Sequence, residues 1–417
     1  MRQSASRRRV VITGTGVITP IGLSVSDFWS SLLAGRTGVD EITSFDASHL
    51  PTRIAAEVRG FNHLAYMPYR VGRRLDKFAQ FGLAAGLQAV EEAKLDLDDD
   101  LVWRTGALLG SAYGPGQFIQ TSTLAMAAGG PQKVPAYMAA AASNDSAAGA
   151  LAMQLGLRGP SAAVSTACAT GATCIGDAFR QIRHGYSDVM LAGGTDSTIT
   201  PLDMVSASNT GALSRRNGDP SRASRPFDRD RDGFVMGAGA GVVVLEEAEF
   251  ARRRGAPILA ELAGYGATTD VHHPTAPDPT GTGARAAIRA ALDDAELGPD
   301  DIDYVNAHGT STVINDRLET AVLRSVFGDR ATRIPISSIK SMTGHMIGAA
   351  GAVELIATAR AAAEGVVPPT VNCDDPEDTG LNFVPHEPQE HRVRAAISNS
   401  FGFGGHNAVL VVRPWAH

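Results

Sequence analysis

Along the chain, short apolar runs alternate with longer segments whose apolar residues recur at helical spacing. The runs are four or five residues long and are bounded by Gly, Thr, Ser or charged residues, which is typical of buried strands between turns. The predicted strands cover residues 10–13, 106–110, 162–166, 189–192, 242–246 and 334–338. Strands that alternate with helices indicate an α/β fold with largely buried sheets.

Two of the helical segments are apolar almost all round and rich in Ala and Gly. The first is predicted at about residues 169–183, and the second follows the turn KSMTGHMIGAAG and ends at Gly365. Such helices are buried, and small side chains let them approach their neighbours closely. One in each half indicates an internal duplication. We therefore divide the chain at the turn RRRGAP into an N-terminal half, 1–255, and a C-terminal half, 256–417.

Composition and charge narrow the class of protein. Hydrophobic residues make up 44% of the chain, enough for a large core, and the net charge of −7 argues against nucleic acid as the main partner. No apolar stretch reaches the length of a membrane-spanning helix, and the apolar run after Arg7–Arg9 is broken by Gly, Thr and Pro, unlike a signal peptide. Three cysteines without metal-ligand spacing favour a reducing compartment and no metal. We expect a cytoplasmic protein that binds neither nucleic acid nor membrane.

Cys168 lies in the stretch VSTACATG, between a predicted strand and the first buried helix. The dipole at a helix N-terminus lowers a cysteine pKa below about 8.5, and the N–H groups of the first turn can bind a developing oxyanion. Small neighbours leave room for a substrate. Cys168 is therefore a candidate nucleophile, whereas Cys174, within the same helix, is interpreted as a core residue.

A cysteine nucleophile requires a general base or electrostatic partners, usually histidine. Two of the 11 histidines lie in loops rich in Gly and Thr: His308 in VNAHGTST, and His345 in KSMTGHMIGAAG, which begins with Lys340. By the duplication, the second of these turns corresponds to the turn that carries Cys168. We expect the two helix starts to meet in one cleft, with His345 facing Cys168.

Near the C-terminus, SNSFGFGG (398–405) is interpreted either as a source of backbone N–H groups for this cleft or as a plain hairpin turn. With TACATG, HGTST and KSMTGHMIGAAG, it resembles the motifs of β-ketoacyl-[acyl-carrier-protein] synthases. The resemblance covers nearly the whole chain and is greatest to the elongating, FabF-like type and to the ketosynthase subunits of type II polyketide systems. It implies the thiolase fold, with duplicated βαβ-rich halves in a five-layered α-β-α-β-α arrangement.

The resemblance also implies a role for each motif residue. Cys168 would take the acyl chain, and His308 and His345 would complete a Cys-His-His triad. The other positions match residues with supporting roles: Lys340 and Glu354, a charged pair that supports the histidines; Thr310 and Thr312, which bind the phosphopantetheine arm; and Phe403, a gate residue whose N–H, with that of Cys168, forms the oxyanion hole.

The reaction implied is the decarboxylative Claisen condensation of malonyl-acyl-carrier protein with the Cys168-bound acyl chain. Its substrates travel on the phosphopantetheine of acyl-carrier protein, and no separate cofactor is expected. Carrier proteins are acidic, so a local basic cluster is needed to dock one on this acidic chain. At helical spacing, the cationic residues of YRVGRRLDKF are predicted to share one helix face: Arg70, Arg73, Arg74 and Lys77.

Three questions stay open at this level. The resemblance implies a dimer, formed either with a second copy or with a chain-length-factor-like subunit. Departures from the usual fatty-acid pattern, such as Val313-Ile314 after HGTST and His406 after the last glycines, leave fatty-acid and polyketide or polyene pathways both open and favour the latter slightly. The alternative functions are a non-catalytic chain-length partner, which would lack the cysteine, and a degradative thiolase, which would need a second catalytic cysteine near the C-terminus.

Overall fold

The computed structural model describes residues 7–415, in which there are fourteen β-strands and thirteen α-helices. The strands are β1 (Val10–Ile18), β2 (Val39–Glu41), β3 (Ile54–Ala56), β4 (Thr105–Gly110), β5 (Ser161–Ala162), β6 (Val189–Asp196), β7 (Gly239–Glu247), β8 (Ala260–Thr269), β9 (Tyr304–Asn306), β10 (Ile336–Ser337), β11 (Val366–Val367), β12 (Gln389–Glu390), β13 (Ala396–Gly402) and β14 (His406–Pro414). The helices are α1 (Val25–Leu33), α2 (Tyr69–Gly72), α3 (Lys77–Ala93), α4 (Gly116–Gly129), α5 (Met138–Ala141), α6 (Ser146–Leu155), α7 (Thr170–Arg183), α8 (Pro201–Asn209), α9 (Ala248–Arg253), α10 (Thr282–Asp294), α11 (Val313–Phe327), α12 (Lys340–Thr343) and α13 (Ala350–Glu364).

Ten strands form one continuous sheet in the order β10-β9-β13-β14-β8-β1-β7-β6-β4-β5. The sheet consists of two five-stranded groups, one from each half of the chain. They are joined only where β1 pairs antiparallel with β8, through three residue pairs from Val10↔Leu262 to Ile12↔Ala260. This short junction lies on the axis that relates the two groups.

The two groups have the same topology. In each, the first strand lies at the junction and is followed outward by the fifth, the fourth, the second and the third strands in chain order. The pairings also agree: the first two are antiparallel and the outer two are parallel, in both groups. The duplication inferred from the two Ala/Gly-rich helices is therefore present in the strand order as well.

The helices and sheets form five layers. The central layer consists of α7 and α13, which contact each other and pack against strands of both groups. On the far side of the N-terminal group lie α3 and α6, and on the far side of the C-terminal group lie α10 and α11. The predicted α-β-α-β-α arrangement is confirmed.

Close packing in the central layer depends on glycine. A Cβ atom on Gly171 of α7 would lie 2.8 Å from the backbone nitrogen of Ala352, and one on Gly351 of α13 would lie 2.9 Å from that of Ala172. The two contacts are equivalent and are related by the pseudo-twofold axis. Such distances leave no space for a side chain, so the helices cross at their glycines.

One predicted strand is shorter in the structure than the sequence indicates. The strand predicted at residues 162–166 is only Ser161–Ala162, which pairs with β4 through just two residues. The backbone N–H of Thr166 donates instead to the hydroxyl of Thr170 in its own turn. The boundary placed at residue 255 falls in the loop between α9 and β8 and stays a prediction. Within residues 7–415, no helix is long and apolar enough to cross a membrane.

Candidate active site

Cys168 lies in a single 3₁₀ turn, Ala167–Ala169, immediately before α7, as the sequence predicts. Ala167 has φ 49°, a left-handed conformation that costs free energy in a residue with a Cβ and marks a tightly constrained turn. The side chain of Cys168 is 8% exposed and belongs to an apolar cluster with Met204, Phe234 and Ile347. The nucleophile candidate therefore faces an apolar environment suited to an acyl chain.

The ionisation of Cys168 differs from the prediction. Burial raises the pKa of the thiol to about 11, and the N–H of Phe403, the charge of Lys340 and the N–H of Cys168 lower it only in part. The predicted lowering by the helix start is wrong because desolvation of the thiolate outweighs these effects. The thiol form predominates at neutral pH.

His308 lies in the loop after β9. The backbone of this loop is held by hydrogen bonds to a buried carboxylate. The backbone N–H groups of His308 and Gly309 both donate to Glu319, at 2.8 Å each, and Asn399 adds a third hydrogen bond at 3.1 Å. Asp316 plays the same part for the next residues, accepting from the N–H groups of Thr310 and Ser311. The loop geometry therefore depends on two acids of α11.

Glu319 and Asp316 were missed by the sequence reasoning. The available signal was their spacing: two acids three residues apart, at the start of a helix directly after HGTST, share one helix face. Both are about 1% exposed. Burial raises the pKa of Glu319 to about 7, although its three hydrogen bonds oppose the shift.

Lys340 and Glu354 form a fully buried ion pair, each side chain being 1% exposed. The ammonium group of Lys340 also donates to the carbonyl oxygen of His308 at 2.7 Å and lies 3.4 Å from its Nδ1 atom. An ammonium group can only donate, so Nδ1 of His308 is the acceptor and the ring proton is on Nε2.

His345 has the same tautomer for a different reason. Its Nδ1 accepts the backbone N–H of Ile347 at 3.3 Å, which again leaves the proton on Nε2. Its ring is perpendicular to that of His308, with the centroids 5.4 Å apart, and contacts Phe234 of the Cys168 cluster. Burial, reinforced by the charge of Lys340, lowers the pKa of both histidines well below the usual value. Both rings are therefore neutral at pH 7.

The C-terminal glycine-rich stretch, residues 398–405, also lies next to Cys168. Phe403 begins a turn, Phe403–Gly405, between β13 and β14, and its N–H lowers the pKa of Cys168 in part. Its ring is 41% exposed. A Cβ atom on Gly402 would lie 3.0 Å from the nitrogen of Cys168, so this glycine leaves the N–H of Cys168 uncovered on that side. The hairpin interpretation is confirmed, since β13 and β14 pair antiparallel as far as Gly402↔His406. The N–H of Phe403 in this turn also influences Cys168, so the two interpretations are compatible.

The other two cysteines lie apart from the cleft. Cys174 is inside α7, where its thiol contacts the carbonyl of Val164, and Cys373 is buried in the outer core of the C-terminal half. Across residues 7–415 there is no group of three or more metal-ligating side chains.

Comparison with known proteins shows the family of the chain. The family model of the N-terminal domain of β-ketoacyl synthases matches residues 7–251, and that of the C-terminal domain matches residues 259–374. The chain belongs to the β-ketoacyl synthase family. It is an elongating ketosynthase, an enzyme of the acyltransferase class.

Relatives cover the synthase from end to end. It is 43% identical over 98% of its length to 3-oxoacyl-[acyl-carrier-protein] synthase 2 of Synechocystis, of which 99% is covered. It is 44% identical over 97% of its length to the protein of the same name from Coxiella burnetii, of which 98% is covered.

Solved structures give the same fold at lower identity. The ishigamide ketosynthase/chain length factor is 36% identical with a TM-score of 0.91, and the match covers 99% of the synthase and all of that chain. A type II PKS acyl-carrier protein in complex with its ketosynthase bound to the hexaketide is 32% identical with the same TM-score, covering 98% and 100%. The thiolase-like fold expected from the sequence is confirmed.

The basic cluster of the synthase differs from the predicted single helix face. Arg70 lies in the short helix α2, Arg73 and Arg74 lie in the turn that follows, and Lys77 begins α3, where Asp76 caps the new helix. The prediction of one continuous helix is wrong because Asp76 accepts the N–H of Phe78 and starts a second helix. The three arginines are exposed, and Lys77 is half-buried with its ammonium 5.9 Å from the ring centroid of Phe81.

Thr310 and Thr312 lie together on the HGTST loop, with their hydroxyl oxygens 2.9 Å apart. Thr310 is 6% exposed and Thr312 is half-buried. This pair of hydroxyls follows His308 directly on the constrained loop.

Proposed function

We propose that the synthase extends an acyl chain held as a thioester on Cys168 by two carbons taken from malonyl-acyl-carrier protein. The observation that carries this proposal is the convergence of four motifs on one buried centre. The N–H groups of Phe403 and Cys168 favour the thiolate of Cys168. The two neutral histidine rings lie 5.4 Å apart, one held by Lys340 of the Lys340–Glu354 pair and the other by the N–H of Ile347.

Acylation is the first step. The sulfur of Cys168 attacks the thioester carbonyl of acyl-carrier protein, the carbon–sulfur bond to phosphopantetheine breaks, and the proton of the Cys168 thiol passes to the leaving phosphopantetheine thiolate. The tetrahedral oxyanion is bound by the N–H groups of Cys168 and Phe403, which are already in place before the reaction. Thr310 and Thr312 bind the phosphopantetheine arm through their hydroxyls.

The second step is the decarboxylation of the malonyl thioester. Carbon dioxide leaves with cleavage of the carbon–carbon bond, and the electron pair is delocalised onto the thioester oxygen. His308 and His345, each protonated on Nε2 and neutral, donate to this oxygen and stabilise the enolate. The enolate carbon attacks the acyl-cysteine, forming the new bond and releasing the thiolate of Cys168. Only the phosphopantetheine-borne substrates are needed, with no further cofactor.

The two alternative functions fit less well. A chain-length partner subunit does not need an acylated cysteine, whereas Cys168 lies at the centre of this site. A degradative thiolase requires a second cysteine beside the first, but Cys174 and Cys373 lie in other parts of the core.

The partner proposed for docking is an acidic acyl-carrier protein. It binds at Arg70, Arg73, Arg74 and Lys77, none of which forms an ion pair with another residue of the described chain. The synthase acts as a dimer, either with itself or with a chain-length-factor-like subunit. The outermost strand of the N-terminal group, β5, has both residues exposed and offers an edge for such pairing. Its three cysteines, all unpaired, agree with a cytoplasmic location.

The test is intact-protein mass spectrometry after incubation with a panel of acyl-carrier-protein thioesters. The panel contains saturated chains and conjugated unsaturated chains, and Cys168→Ala is the control. We expect one acyl adduct in the native enzyme and none in the variant. An adduct that persists in Cys168→Ala would refute the assignment of the nucleophile.

The same panel distinguishes the pathways. Loading by saturated chains indicates fatty-acid elongation, and loading only by unsaturated chains indicates a polyketide or polyene pathway. Adding a candidate chain-length subunit in a second series tests the heterodimer, since a homodimeric enzyme loads without it.

A further inference from the structure

A second buried carboxylate, Asp196 at the end of β6, lies on the opposite side of the central layer from Glu319. It is fully buried and accepts four hydrogen bonds from neutral donors. These come from the hydroxyl of Ser111 (2.5 Å) and from the N–H groups of Ala112 (3.1 Å), Tyr113 (3.1 Å) and Gly348 (2.7 Å). No cation contacts the carboxylate within the described chain. The four donors enclose an anion-binding hole that the protein fills with its own side chain.

The duplication shows what this hole corresponds to. Ile347–Ala349 is a 3₁₀ turn before α13, as Ala167–Ala169 is before α7, and Ile347 has φ 49°, the same value as Ala167. Gly348 is thus the counterpart of Cys168. In strand register, Asp196, which ends β6, corresponds to Gly402, which ends β13.

The equivalent N–H groups of the two halves therefore differ in whether a side chain binds them. In the C-terminal half, the N–H of Gly348 is bound by the carboxylate of Asp196. In the N-terminal half, the position of that carboxylate is Gly402, whose missing side chain leaves the N–H of Cys168 open. The filled hole shows that the helix start of this fold binds an anion.

The filled hole is also connected to a histidine of the site. Ile347, next to Gly348 in the turn, donates its N–H to Nδ1 of His345, which fixes the tautomer and orientation of that ring. The hydrogen bond from Gly348 to Asp196 holds the turn from its other side. Ser111, a further ligand of Asp196, accepts at its carbonyl the hydroxyl of Ser165, three residues before Cys168.

We propose that Asp196 is a positioning residue: its carboxylate occupies the second, non-catalytic anion hole and thereby holds the turn Ile347–Ala349 so that His345 keeps its proton on Nε2. This inference rests on the proposed role of His345 in decarboxylation. Asp196 itself does not contact the reacting atoms. Its counterpart, Gly402, is what makes the first hole available to substrate.

Chemical rescue tests the proposal. Asp196→Ala removes the carboxylate and leaves a hole of the size of formate, lined by the same four donors. We expect decarboxylation of malonyl-acyl-carrier protein by this variant to fall about a hundredfold, the effect of a misplaced catalytic group. Adding formate restores the rate in a saturable manner and raises the melting temperature of the variant, because a ligand of the folded state stabilises it. Formamide, which is neutral, does neither.

Two variants make the outcome interpretable. Asp188→Asn changes a carboxylate that lies immediately before β6 and is paired with Arg8 and Arg104, and it should respond to formate in neither assay. If Asp196→Ala does not fold, Asp196→Asn replaces it: its amide has one acceptor oxygen for four donors, so the same loss of decarboxylation is expected, with acylation of Cys168 retained.

Each result decides the matter. If formate raises the melting temperature but does not restore decarboxylation, Asp196 does not position His345, and only the existence of the anion hole is supported. Formate without effect in either assay, or an Asp196→Asn variant as active as the native enzyme, refutes the proposal as a whole. His345→Ala is measured in parallel: if that variant decarboxylates normally, the proposed function of His345 fails, independently of Asp196.

Discussion

The turn before α7 and the turn before α13 have the same backbone and different chemistry. Both place a residue with φ 49° before a buried helix, and the two helices cross at the equivalent glycines Gly171 and Gly351. One turn carries Cys168 opposite Gly402, and the other carries Gly348 opposite Asp196. In one half the turn binds a carboxylate of the protein, and in the other the same position is a glycine. We propose that these two residues decide which turn reacts.

The largest effect is expected when the N-terminal turn receives the carboxylate that the C-terminal turn has. Gly402→Asp places a carboxylate beside the N–H of Cys168, where even a Cβ lies 3.0 Å away. We expect the single-turnover acylation rate to fall about 10²–10³-fold, the loss seen when an oxyanion donor is removed. Gly218→Asp adds the same charge where a Cβ meets no atom within 4 Å, and it should acylate normally. Rapid acylation of Gly402→Asp would contradict the equivalence of the two holes.

The second difference is in the helices. The fifth residue of α7 is the apolar Cys174, whereas that of α13 is Glu354, whose charge is balanced by Lys340. Lys340→Met leaves a buried carboxylate unpaired, so we expect the free energy of unfolding to fall by about 3–5 kcal/mol in denaturant titration.

Two further variants serve as controls for this loss. Adding Glu354→Gln to Lys340→Met should recover much of the stability. Arg252→Met breaks an exposed pair with Glu249 and should cost under about 1 kcal/mol. A Lys340→Met variant as stable as the native protein would mean that the pair is not buried as described.

The ionisation of Cys168 tests whether burial or the helix start dominates in the active turn. With a pKa raised to about 11, the thiolate fraction grows as the pH rises towards that value. We expect the rate of alkylation by iodoacetamide to increase about tenfold per pH unit between pH 7 and 9, since only the thiolate reacts. Peptide mapping assigns the adduct to Cys168. A rate that levels off below pH 8 would show that the helix start dominates after all.

Substitution of the crossing glycine in either central helix should reduce the stability of the protein by the same amount. Gly171→Ala and Gly351→Ala each place a methyl group under 3 Å from the backbone of the other helix, so each should destabilise the protein by about 1–3 kcal/mol. Gly149→Ala in α6 meets no atom within 4 Å and should be neutral or stabilising. Unequal effects of the two central variants would show that the pseudo-symmetry does not extend to the energetics.

The smallest effect is expected at the surface. Arg73→Glu should raise the KM for acyl-carrier-protein substrates roughly two- to fivefold, as expected of an exposed charge, and this change should diminish at high salt. The KM for acyl-pantetheine should not change. Arg289→Glu on α10, the counterpart of α3 in the other half, is the matched charge reversal. If both variants behave alike, the basic cluster is not the docking surface.

Local sequence was sufficient where a residue acts through its neighbours in the chain. Cys168 before a buried helix, the Gly/Thr-rich loops of His308 and His345, and the two Ala/Gly-rich helices were all predictable from short patterns. The basic cluster was not, because Asp76 begins a new helix within it. The ionisation of Cys168 was not either, since the helix start is a local effect and desolvation is a property of the whole packed core.

The sequence by itself determined an α/β fold, the duplication and the candidate reactive residues, because apolar periodicity and turn composition are local. The tertiary structure decided which groups those residues face. Glu319 under the His308 loop, the tautomer of His308 and the contrast between Asp196 and Gly402 all depend on residues more than ten positions apart in the chain. Such contacts are brought about by packing two halves around one axis, and no local pattern specifies them.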